Sequence, residues 1–278
     1  MKRIHIVGSS PRSGTSLLVE MMVNSYEIDL YPEHEARLGK CPPGNGKIFL
    51  SKSPKDIIIV EKRLKLMKNL FIIYVMRDPR DSASSFHGRF KEQYYGDFRY
   101  WKNFLPYYEK MKNHPRLIYI KYEDLVTDPD KIQSLISTRL PFLKFKDSFS
   151  NFHLHSNPSH NTSKALRGLR KVDSGRIGNW RNHKPRILGQ IRRHGSLSTD
   201  LIRYGYEMNE NWLNELEGIV PDMSEGHYSV FCTEKFIRRK QHFKYIKAIR
   251  LWFCHTSFFL VTRQSIKKIL GIPESLST

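Results

Sequence analysis

A run of small and hydroxyl residues follows the first apolar segment of the chain, and it has the composition of an anion-binding turn. It reads Gly8-Ser-Ser-Pro-Arg-Ser-Gly-Thr-Ser16 and leads into a helical pattern. Backbone N–H groups at a helix start, with hydroxyls beside them, bind phosphate-like groups. The Walker pattern requires a lysine where this chain has Thr15, and the cation here, Arg12, lies two residues before Gly14. The loop therefore predicts phosphate binding without the residue needed for γ-phosphoryl transfer.

A second candidate anion site lies in the segment Met76-Arg-Asp-Pro-Arg-Asp-Ser-Ala-Ser-Ser85, directly after an apolar run. Arg77 carries a guanidinium that can bind a phosphate through two hydrogen bonds. Ser85, about two helical turns along, offers a hydroxyl to the same group. The segment also fits an ordinary helix start with Asp78 as the N-cap residue. Both interpretations stay open on the sequence alone.

Short β-branched and aromatic runs alternate with helical patterns, which is typical of βαβ units. The last two runs are apolar almost throughout, as strands covered on both faces should be. We therefore predict an α/β fold with a P-loop-type parallel β-sheet flanked by helices. Both candidate anion sites follow predicted strands, at the end where such sheets bind ligands. The predicted strands are Arg3–Val7, Lys47–Leu50, Leu70–Met76 and Leu117–Tyr122, and the clearest helical patterns are Ser16–Asn24 and Asp97–Lys112.

The composition changes near residue 223, which divides the chain into a domain of residues 1–222 and a C-terminal appendage of residues 223–278. Within the domain, residues 148–183 are polar and basic and predict a mobile loop before a helix around Ile187–Tyr204. The appendage mixes cations with apolar residues at helical spacing, which predicts a basic amphipathic helix. We expect it to pack on the domain or, second, to lie on an anionic membrane surface; contact with an acidic substrate is a third reading.

The 278 residues include 47 Lys and Arg against 27 Asp and Glu, and the net charge of +20 predicts anionic ligands. Hydrophobic residues make up 39%, enough for a packed core, which excludes a mainly disordered chain. Cys41, Cys232 and Cys254 form no C-x-x-C pair, so neither a disulfide framework nor a cysteine-built zinc site is expected. Without a signal-peptide or membrane-spanning pattern, we expect a cytoplasmic protein, with peripheral contact at the inner membrane surface as an extension.

Together the two anion-binding segments resemble the P-loop sulfotransferase family, especially its bacterial and tyrosylprotein branch, which uses 3′-phosphoadenylyl sulfate (PAPS). Arg12–Ser16 is similar to the family's 5′-phosphosulfate loop, and Arg77–Ser85 is similar to its 3′-phosphate motif. The likeness covers about residues 3–206 and implies a PAPS-binding α/β fold with 3′,5′-adenosine bisphosphate as the product. Three further segments agree in the family's order: Leu50-Ser-Lys-Ser-Pro54, Lys121-Tyr-Glu-Asp-Leu-Val-Thr-Asp-Pro129 and Ser174-Gly-Arg-Ile-Gly-Asn-Trp180.

The resemblance also implies binding roles for individual residues. Tyr122 would lie near the adenosine, and a polar loop would close over the donor. Because arginines neutralise the anionic donor, we expect no metal ion. The implied residues are Arg12, Ser13, Gly14, Thr15 and Ser16 for the 5′-phosphosulfate, Arg77, Ser85 and Arg89 for the 3′-phosphate, and Arg170, Lys171 and Arg176 in the closing loop.

In-line sulfuryl transfer develops negative charge on the departing oxygen, and a fixed cation stabilises that charge in the transition state. Lys52 is our candidate for this role, assisted by Arg12 and the amides of the loop. The resemblance agrees, since Lys52 matches a lysine that contacts the sulfuryl group in the family. An ordinary solvated lysine at a strand end is the alternative.

The acceptor hydroxyl must lose a proton, which requires a base within hydrogen-bond reach. The resemblance places a glutamate of a G-E-E-T-R segment in this role, and Tyr31-Pro-Glu-His-Glu-Ala-Arg37 occupies the comparable position. Glu33 is our first choice, with Glu35 and His34 as substitutes. Glu35 and Arg37 are also candidates for holding the acceptor. Because cytosolic family members use histidine, the histidines His87, His153 and His155 stay open as bases.

The first functional hypothesis is therefore transfer of a sulfuryl group from PAPS to a hydroxyl of a carbohydrate or glycolipid, with protein tyrosine as the alternative acceptor. A P-loop small-molecule kinase is a competing hypothesis, which the missing Walker lysine disfavours. A non-catalytic polyanion binder driven by the positive charge is the third. No nucleic-acid partner is expected under the first hypothesis.

Overall fold

The computed structural model describes residues 1–33, 35–40, 42, 44–86, 92–158, 163, 168 and 170–228. Outside these residues lie His34, Cys41, His87, Arg89, parts of the predicted mobile loop (159–162, 164–167 and 169) and most of the predicted appendage, residues 229–278. All positions discussed below belong to the described part of the chain.

Four parallel strands form the sheet, in the spatial order β2-β1-β3-β4. The register pairs His5 of β1 with Ser51 of β2, and Ile6 of β1 with Ile73 of β3. Because all strands run the same way, the loops that follow β1, β2, β3 and β4 meet at one edge of the sheet. The strands are β1 (Lys2–Gly8), β2 (Ile48–Lys52), β3 (Leu70–Met76) and β4 (Leu117–Lys121).

Helices cover both faces of this sheet. The chain crosses between parallel strands through them, as the connections of a parallel sheet require. They are α1 (Thr15–Ser25), α2 (Ile57–Leu66), α3 (Pro79–Ala83), α4 (Phe98–Glu109), α5 (Tyr122–Thr127), α6 (Pro129–Arg139), α7 (Phe152–His155), α8 (Lys184–His194) and α9 (Ser198–Arg203). Short 3₁₀ helices occupy Pro54–Asp56, Phe149–Asn151, Asn179–His183 and Glu210–Leu216.

Two apolar cores lie on opposite faces of the sheet, which explains the almost continuously apolar β3. Ile73 and Val75 join the core that contains α1, whereas Ile72, Tyr74 and Met76 join the core that contains α2 and α4. Successive residues of a strand point to opposite faces, so a strand between two cores has no polar face. The predicted α/β fold with a parallel sheet flanked by helices is therefore confirmed.

The structure differs from the sequence prediction in residues 148–183. Parts of this segment are helical rather than a loop, because Phe149 and Phe152 are buried in the α1 core and anchor a 3₁₀ turn and α7 there. The following helix also divides into α8 and α9. Gly195, with φ of 80°, ends α8 in a conformation that favours glycine.

Just beyond the predicted boundary at residue 222, the chain forms backbone hydrogen bonds with the domain. His227 N donates to Tyr94 O at 2.8 Å, and Tyr228 N donates to Tyr95 O at 3.0 Å. Residues up to 228 therefore still pack on the domain. Within the part of the chain that the structure describes, no helix has both the length and the apolar character needed to cross a bilayer.

Candidate active site

The turn between β1 and α1 has the backbone geometry of an anion cradle. Arg12 and Gly14 both have left-handed backbone conformations, with φ of 72° and 94°. Residues of this kind next to right-handed ones direct successive N–H groups into one concavity. At Gly14 a side chain is also excluded by space, because a Cβ would lie 2.4 Å from the ring of Tyr122. The glycine thus lets the loop contact the start of α5 directly.

The two predicted anion motifs meet at this turn. Arg12 Nε donates to Ser85 Oγ at 3.2 Å, and Arg77 Nη1 donates to the carbonyl oxygen of Arg12 at 3.0 Å. The backbone N–H of Arg77 donates to Ser9 Oγ at 3.2 Å. The loops after β1 and β3 are therefore joined directly, as their neighbouring positions in the sheet allow.

Arg77 is held flat against an aromatic ring. Its guanidinium carbon lies 4.2 Å from the ring centroid of Tyr122, and the side chain is 8% exposed. Its Nη2 donates to the carbonyl oxygen of Arg176 at 3.3 Å, which brings the late polar loop to the site. Stacking of this kind fixes the guanidinium plane while leaving its edge for hydrogen bonds.

A buried carboxylate on α3 fastens the late loop. Asp81 accepts hydrogen bonds from Gly178 N at 2.9 Å and Trp180 N at 2.8 Å. Burial raises the pKa of Asp81, with nearby Asp78 adding to the effect. The backbone of residues 178 and 180 is therefore bound to α3, and this contact holds Arg176 beside Arg77.

Asp78 is the N-cap residue of α3, as the helix-start interpretation of this segment predicts. The same segment also contributes Arg77 and Ser85 to the cleft. Arg80 pairs with Asp78 at 2.7 Å and with Glu207 at 2.6 Å, and it stacks on the ring of Trp180 at 4.3 Å. Trp180 is fully buried, as a packing role requires. These contacts support the loop that carries Arg77.

Lys52 ends β2 and points to the start of α1. Its Nζ donates to Ser16 Oγ at 2.7 Å. Burial lowers the pKa of Lys52, Glu35 partly counteracts this shift, and Arg12 adds to it. The observed strand runs two residues beyond the predicted one, and this extension places Lys52 at the edge of the sheet beside the anion cradle.

The two candidate glutamates face different cavities. Glu35 lines the main cleft together with Lys52, and it accepts a hydrogen bond from Ser53 Oγ at 3.0 Å. Glu33 lines a smaller cavity of about 150 Å³ that shares Ser16 and Lys52 with the main cleft. Arg37 lies outside the described lining of both cavities. Glu35 thus shares a cavity with Arg12, Gly14 and Thr15, whereas Glu33, our first choice from the sequence, lies in the adjoining cavity; the identity of the base stays a prediction.

The main cleft has a volume of about 460 Å³ and gathers most of the predicted binding residues. Its described lining carries seven cationic side chains against three carboxylates, which favours an anionic ligand. The cations are Arg12, Lys52, Lys55, Arg77, Arg170, Lys171 and Arg176, and the carboxylates are Glu35, Asp81 and Asp173. Gly14, Thr15, Ser16, Ser85 and Tyr122 also line it. Ser13 is fully buried behind the loop.

The described lining of the cleft also contains residues that the sequence analysis did not place there: Phe86, Tyr95, Lys55 and His183. Tyr95 is half-buried, and burial raises its pKa to about 12, with nearby Glu35 adding to the effect. A signal existed for two of them, since Lys55 directly follows the Leu50–Pro54 segment and His183 follows Trp180 by three residues.

Two of the histidines left open as bases lie elsewhere. His155 pairs with Asp147 at 3.3 Å on the surface, and His153 Nδ1 lies 3.1 Å from the carbonyl oxygen of Ser150. Neither belongs to the described lining of the cleft. Among the described residues, no group of His, Cys, Asp or Glu side chains has an arrangement that could hold a metal ion.

Solved structures with a similar fold are sulfotransferases. One is the sulfotransferase domain from the curacin biosynthetic pathway, with 17% identity, coverage of 65% of this chain and 90% of that one, and a TM-score of 0.45. A second is the sulfotransferase domain from the Synechococcus PCC 7002 olefin synthase, with 16% identity, coverage of 65% and 87%, and a TM-score of 0.46. A third is mouse sulfotransferase SULT7A1 complexed with PAP, with 21% identity, coverage of 78% and 88%, and a TM-score of 0.48. No protein-family model and no curated protein matches the chain.

Proposed function

We propose that this protein is an enzyme that transfers a sulfuryl group from PAPS to an acceptor hydroxyl. The observation that carries the proposal is the junction of Arg12, Ser85 and Arg77 in one cleft. Two anion-binding motifs from neighbouring strands lie within hydrogen-bond distance of each other there. Such a pair of sites favours a ligand with two separate anionic groups.

The residues of the cleft fit this donor. PAPS carries about four negative charges, two of them on its 3′-phosphate. Within the described residues, the buried Arg77 Nε has no hydrogen-bond partner, which supports a bound anion as the missing acceptor. Arg77 and Ser85 would hold the 3′-phosphate, while Arg12 and the amides and hydroxyls through Ser16 would hold the 5′-phosphosulfate.

The donor, when bound, supplies the activated sulfuryl group. Lys52 would place its ammonium group at the bridging oxygen, where negative charge increases as the bond to sulfur lengthens. Ser16 Oγ, which accepts a hydrogen bond from Lys52 Nζ, fixes the direction of that side chain. Glu35 would accept the proton of the acceptor hydroxyl, and its bond from Ser53 orients the carboxylate.

We propose a carbohydrate or glycolipid as the acceptor, with protein tyrosine as the alternative. Support comes from the described lining of the cleft, which includes the rings of Phe86 and Tyr95 as apolar faces for a polyhydroxylated molecule. An acceptor screen with radiolabelled donor sulfate, comparing neutral oligosaccharides with tyrosine peptides, tests this choice.

Calorimetry with 3′,5′-adenosine bisphosphate and with ATP tests the proposed donor site. We expect the bisphosphate to bind at least about tenfold more tightly, because ATP lacks the 3′-phosphate that Arg77 and Ser85 would hold. Arg77→Ala should weaken bisphosphate binding by about 1.5–3 kcal/mol, the usual cost of a lost charged hydrogen bond.

The matched control is Arg203→Ala, which removes an arginine paired with Glu109 outside the described lining of the cleft. Its bisphosphate affinity should stay unchanged. Equal affinity of the wild-type protein for the bisphosphate and ATP would remove the basis of the proposal. Magnesium-dependent ATP turnover would favour a kinase instead.

A further inference from the structure

Four polar side chains are buried beneath the segment that carries Glu35, at a place where apolar residues would pack at lower cost. Arg3, His5 and Asp56 are fully buried, and Ser51 is 1% exposed. We call these four residues the buried polar cluster. Arg3 and His5 occupy alternate positions of β1, on the face opposite Ile4 and Ile6. Arg3, His5 and Asp56 are outside the described lining of both cavities, and Ser51 belongs to the lining of the smaller one.

The members of the cluster contact one another. His5 Nδ1 lies 2.9 Å from Ser51 Oγ, and His5 Nε2 lies 3.5 Å from Asp56 Oδ2. Arg3 Nη2 lies 3.5 Å from the same serine oxygen. Serine, histidine and aspartate also form the catalytic triads of hydrolases. Here His5 and Asp56 are fully buried and the serine oxygen faces His5 and Arg3, an arrangement that favours a structural role over a nucleophilic one.

The cluster instead binds the backbone of residues 35–40, which we call the Glu35 segment. Arg3 donates to the carbonyl oxygens of Lys40 at 2.9 Å and Arg37 at 3.4 Å. Asp56 Oδ2 accepts a hydrogen bond from Leu38 N at 2.6 Å. Ala36 N donates to the carbonyl oxygen of Lys52 at 3.0 Å, so the segment is also joined to β2.

These contacts satisfy backbone groups that no helix or sheet ladder satisfies. An irregular segment against the protein interior leaves N–H and C=O groups that must find partners. Arg3 and Asp56 supply both kinds, a donor and an acceptor. Burial lowers the pKa of Arg3 to about 9, so the side chain keeps its charge at neutral pH and its attraction to Asp56.

We propose that Arg3 and Asp56 are positioning residues for the catalytic carboxylate: they fix the Glu35 segment so that Glu35 faces Lys52 across the cleft. The assignment rests on the proposed sulfotransferase function. It explains why charged groups are kept in the interior although replacing such groups by apolar residues is often neutral or stabilising. Small displacements of a catalytic group reduce turnover strongly, so the cluster can affect turnover without contacting the substrate.

The first test is Asp56→Asn, which keeps the shape of the side chain but removes its charge. We expect kcat to fall about ten- to a hundredfold, because the Glu35 segment loses its fixed position. Affinity for 3′,5′-adenosine bisphosphate should change less than about twofold, because the donor loop is held by other contacts. A parallel loss of kcat and bisphosphate affinity would show a general structural defect and overturn the assignment.

The control is Asp200→Asn, at a half-buried carboxylate remote from the Glu35 segment, which accepts a hydrogen bond from Trp101 Nε1 at 2.9 Å. It should lower the melting temperature without lowering kcat. If Asp56→Asn fails to fold, Ser51→Ala removes only the hydroxyl between Arg3 and His5. That variant should give a smaller loss of kcat at unchanged bisphosphate affinity, and an unchanged kcat would count against the proposal.

A double-mutant cycle with Glu35→Gln tests whether Asp56 acts through Glu35. If it does, Asp56→Asn should reduce the remaining turnover of Glu35→Gln by less than about threefold, because the positioned group is already gone. An equal reduction in both backgrounds would overturn the assignment.

Amide hydrogen exchange separates this inference from the proposed function. In Asp56→Asn, the Leu38 amide should exchange at least about tenfold faster, while amides of β3 keep their rates. Unchanged protection of Leu38 would overturn the positioning role whatever the activity. Failure of the wild-type protein to prefer the bisphosphate over ATP would instead refute the donor assignment.

Discussion

The side chain of Lys52 has a fixed direction and a lowered pKa. Ser16 Oγ accepts its hydrogen bond, and burial lowers its pKa below the ordinary value of 10.5. A cation in this state is less hydrated than a surface lysine and interacts more strongly with developing charge. The sequence identified this residue, but its contact with the first turn of α1 is a result of the fold.

Replacing Lys52 by alanine should lower kcat by about two to four orders of magnitude, because the charge on the departing oxygen loses its stabilising cation. Bisphosphate affinity should change much less. Steady-state kinetics and calorimetry measure the two quantities. Lys65→Ala, at an exposed lysine paired with Glu61, is the control. If Lys52→Ala lost donor affinity and turnover equally, Lys52 would be a binding residue only.

The pH profile gives a second measure of the same residue. A lysine acts as a cation only while protonated, and the lowered pKa moves its deprotonation to lower pH. The alkaline loss of activity should therefore begin below the pH at which an ordinary lysine titrates. In Lys52→Arg, which stays protonated, this alkaline limb should disappear.

Single substitutions can distinguish the two candidate bases, Glu35 and Glu33. Glu35 lies in the main cleft with Lys52, whereas Glu33 lies in the adjoining cavity. We expect Glu35→Gln to lower kcat by about two to four orders of magnitude and Glu33→Gln by less than about tenfold. Rate measurements at saturating donor decide between them. The opposite pattern would restore Glu33, our first choice from the sequence.

Among the structural elements, the turn between β1 and α1 would supply backbone N–H groups to the proposed donor site. Gly14 permits it for two separate reasons, a left-handed φ and contact with the Tyr122 ring. The same ring supports Arg77 at 4.2 Å. A change at Gly14 therefore affects both anion-binding motifs through one aromatic residue.

Gly14→Ala should destabilise the protein by about 2–4 kcal/mol, from the strained φ and from the 2.4 Å approach of the new Cβ to Tyr122. It should also weaken bisphosphate binding. Gly218→Ala is the matched control, because Gly218 has a φ of 69° but open space around its Cβ position. This control should cost only about 1–2 kcal/mol. Thermal unfolding of both variants measures the difference, and equal costs would contradict the role of the Tyr122 contact.

At the scale of the whole molecule, the net charge of +20 attracts anions of many kinds. The cleft should add selectivity to this attraction. Raising the salt concentration from about 0.05 M to about 0.5 M should weaken bisphosphate binding, since screening reduces the long-range attraction. The preference over ATP should persist, because it comes from short contacts with the 3′-phosphate. A preference that vanishes at high salt would favour the polyanion-binding hypothesis.

Local sequence determined the parts of the protein that depend on neighbouring residues. The apolar runs predicted the strands to within about two residues at their ends, and small residues around Gly14 predicted the tight turn between β1 and α1. The near-continuous apolar character of β3 predicted a sheet covered on both faces. These properties follow from backbone sterics and from side-chain periodicity, which a short stretch of sequence already contains.

Only the tertiary structure decided which side chains face each other across the cleft. Glu33 and Glu35 are two residues apart and chemically identical, and only their contacts with Ser53 and Lys52 distinguish them. Likewise, Arg3 and Asp56 are 53 positions apart in the sequence, and nothing near either residue indicates that both bind the same segment. Electrostatic and hydrogen-bond energies depend on distances between atoms, and the packing of strands and helices sets those distances.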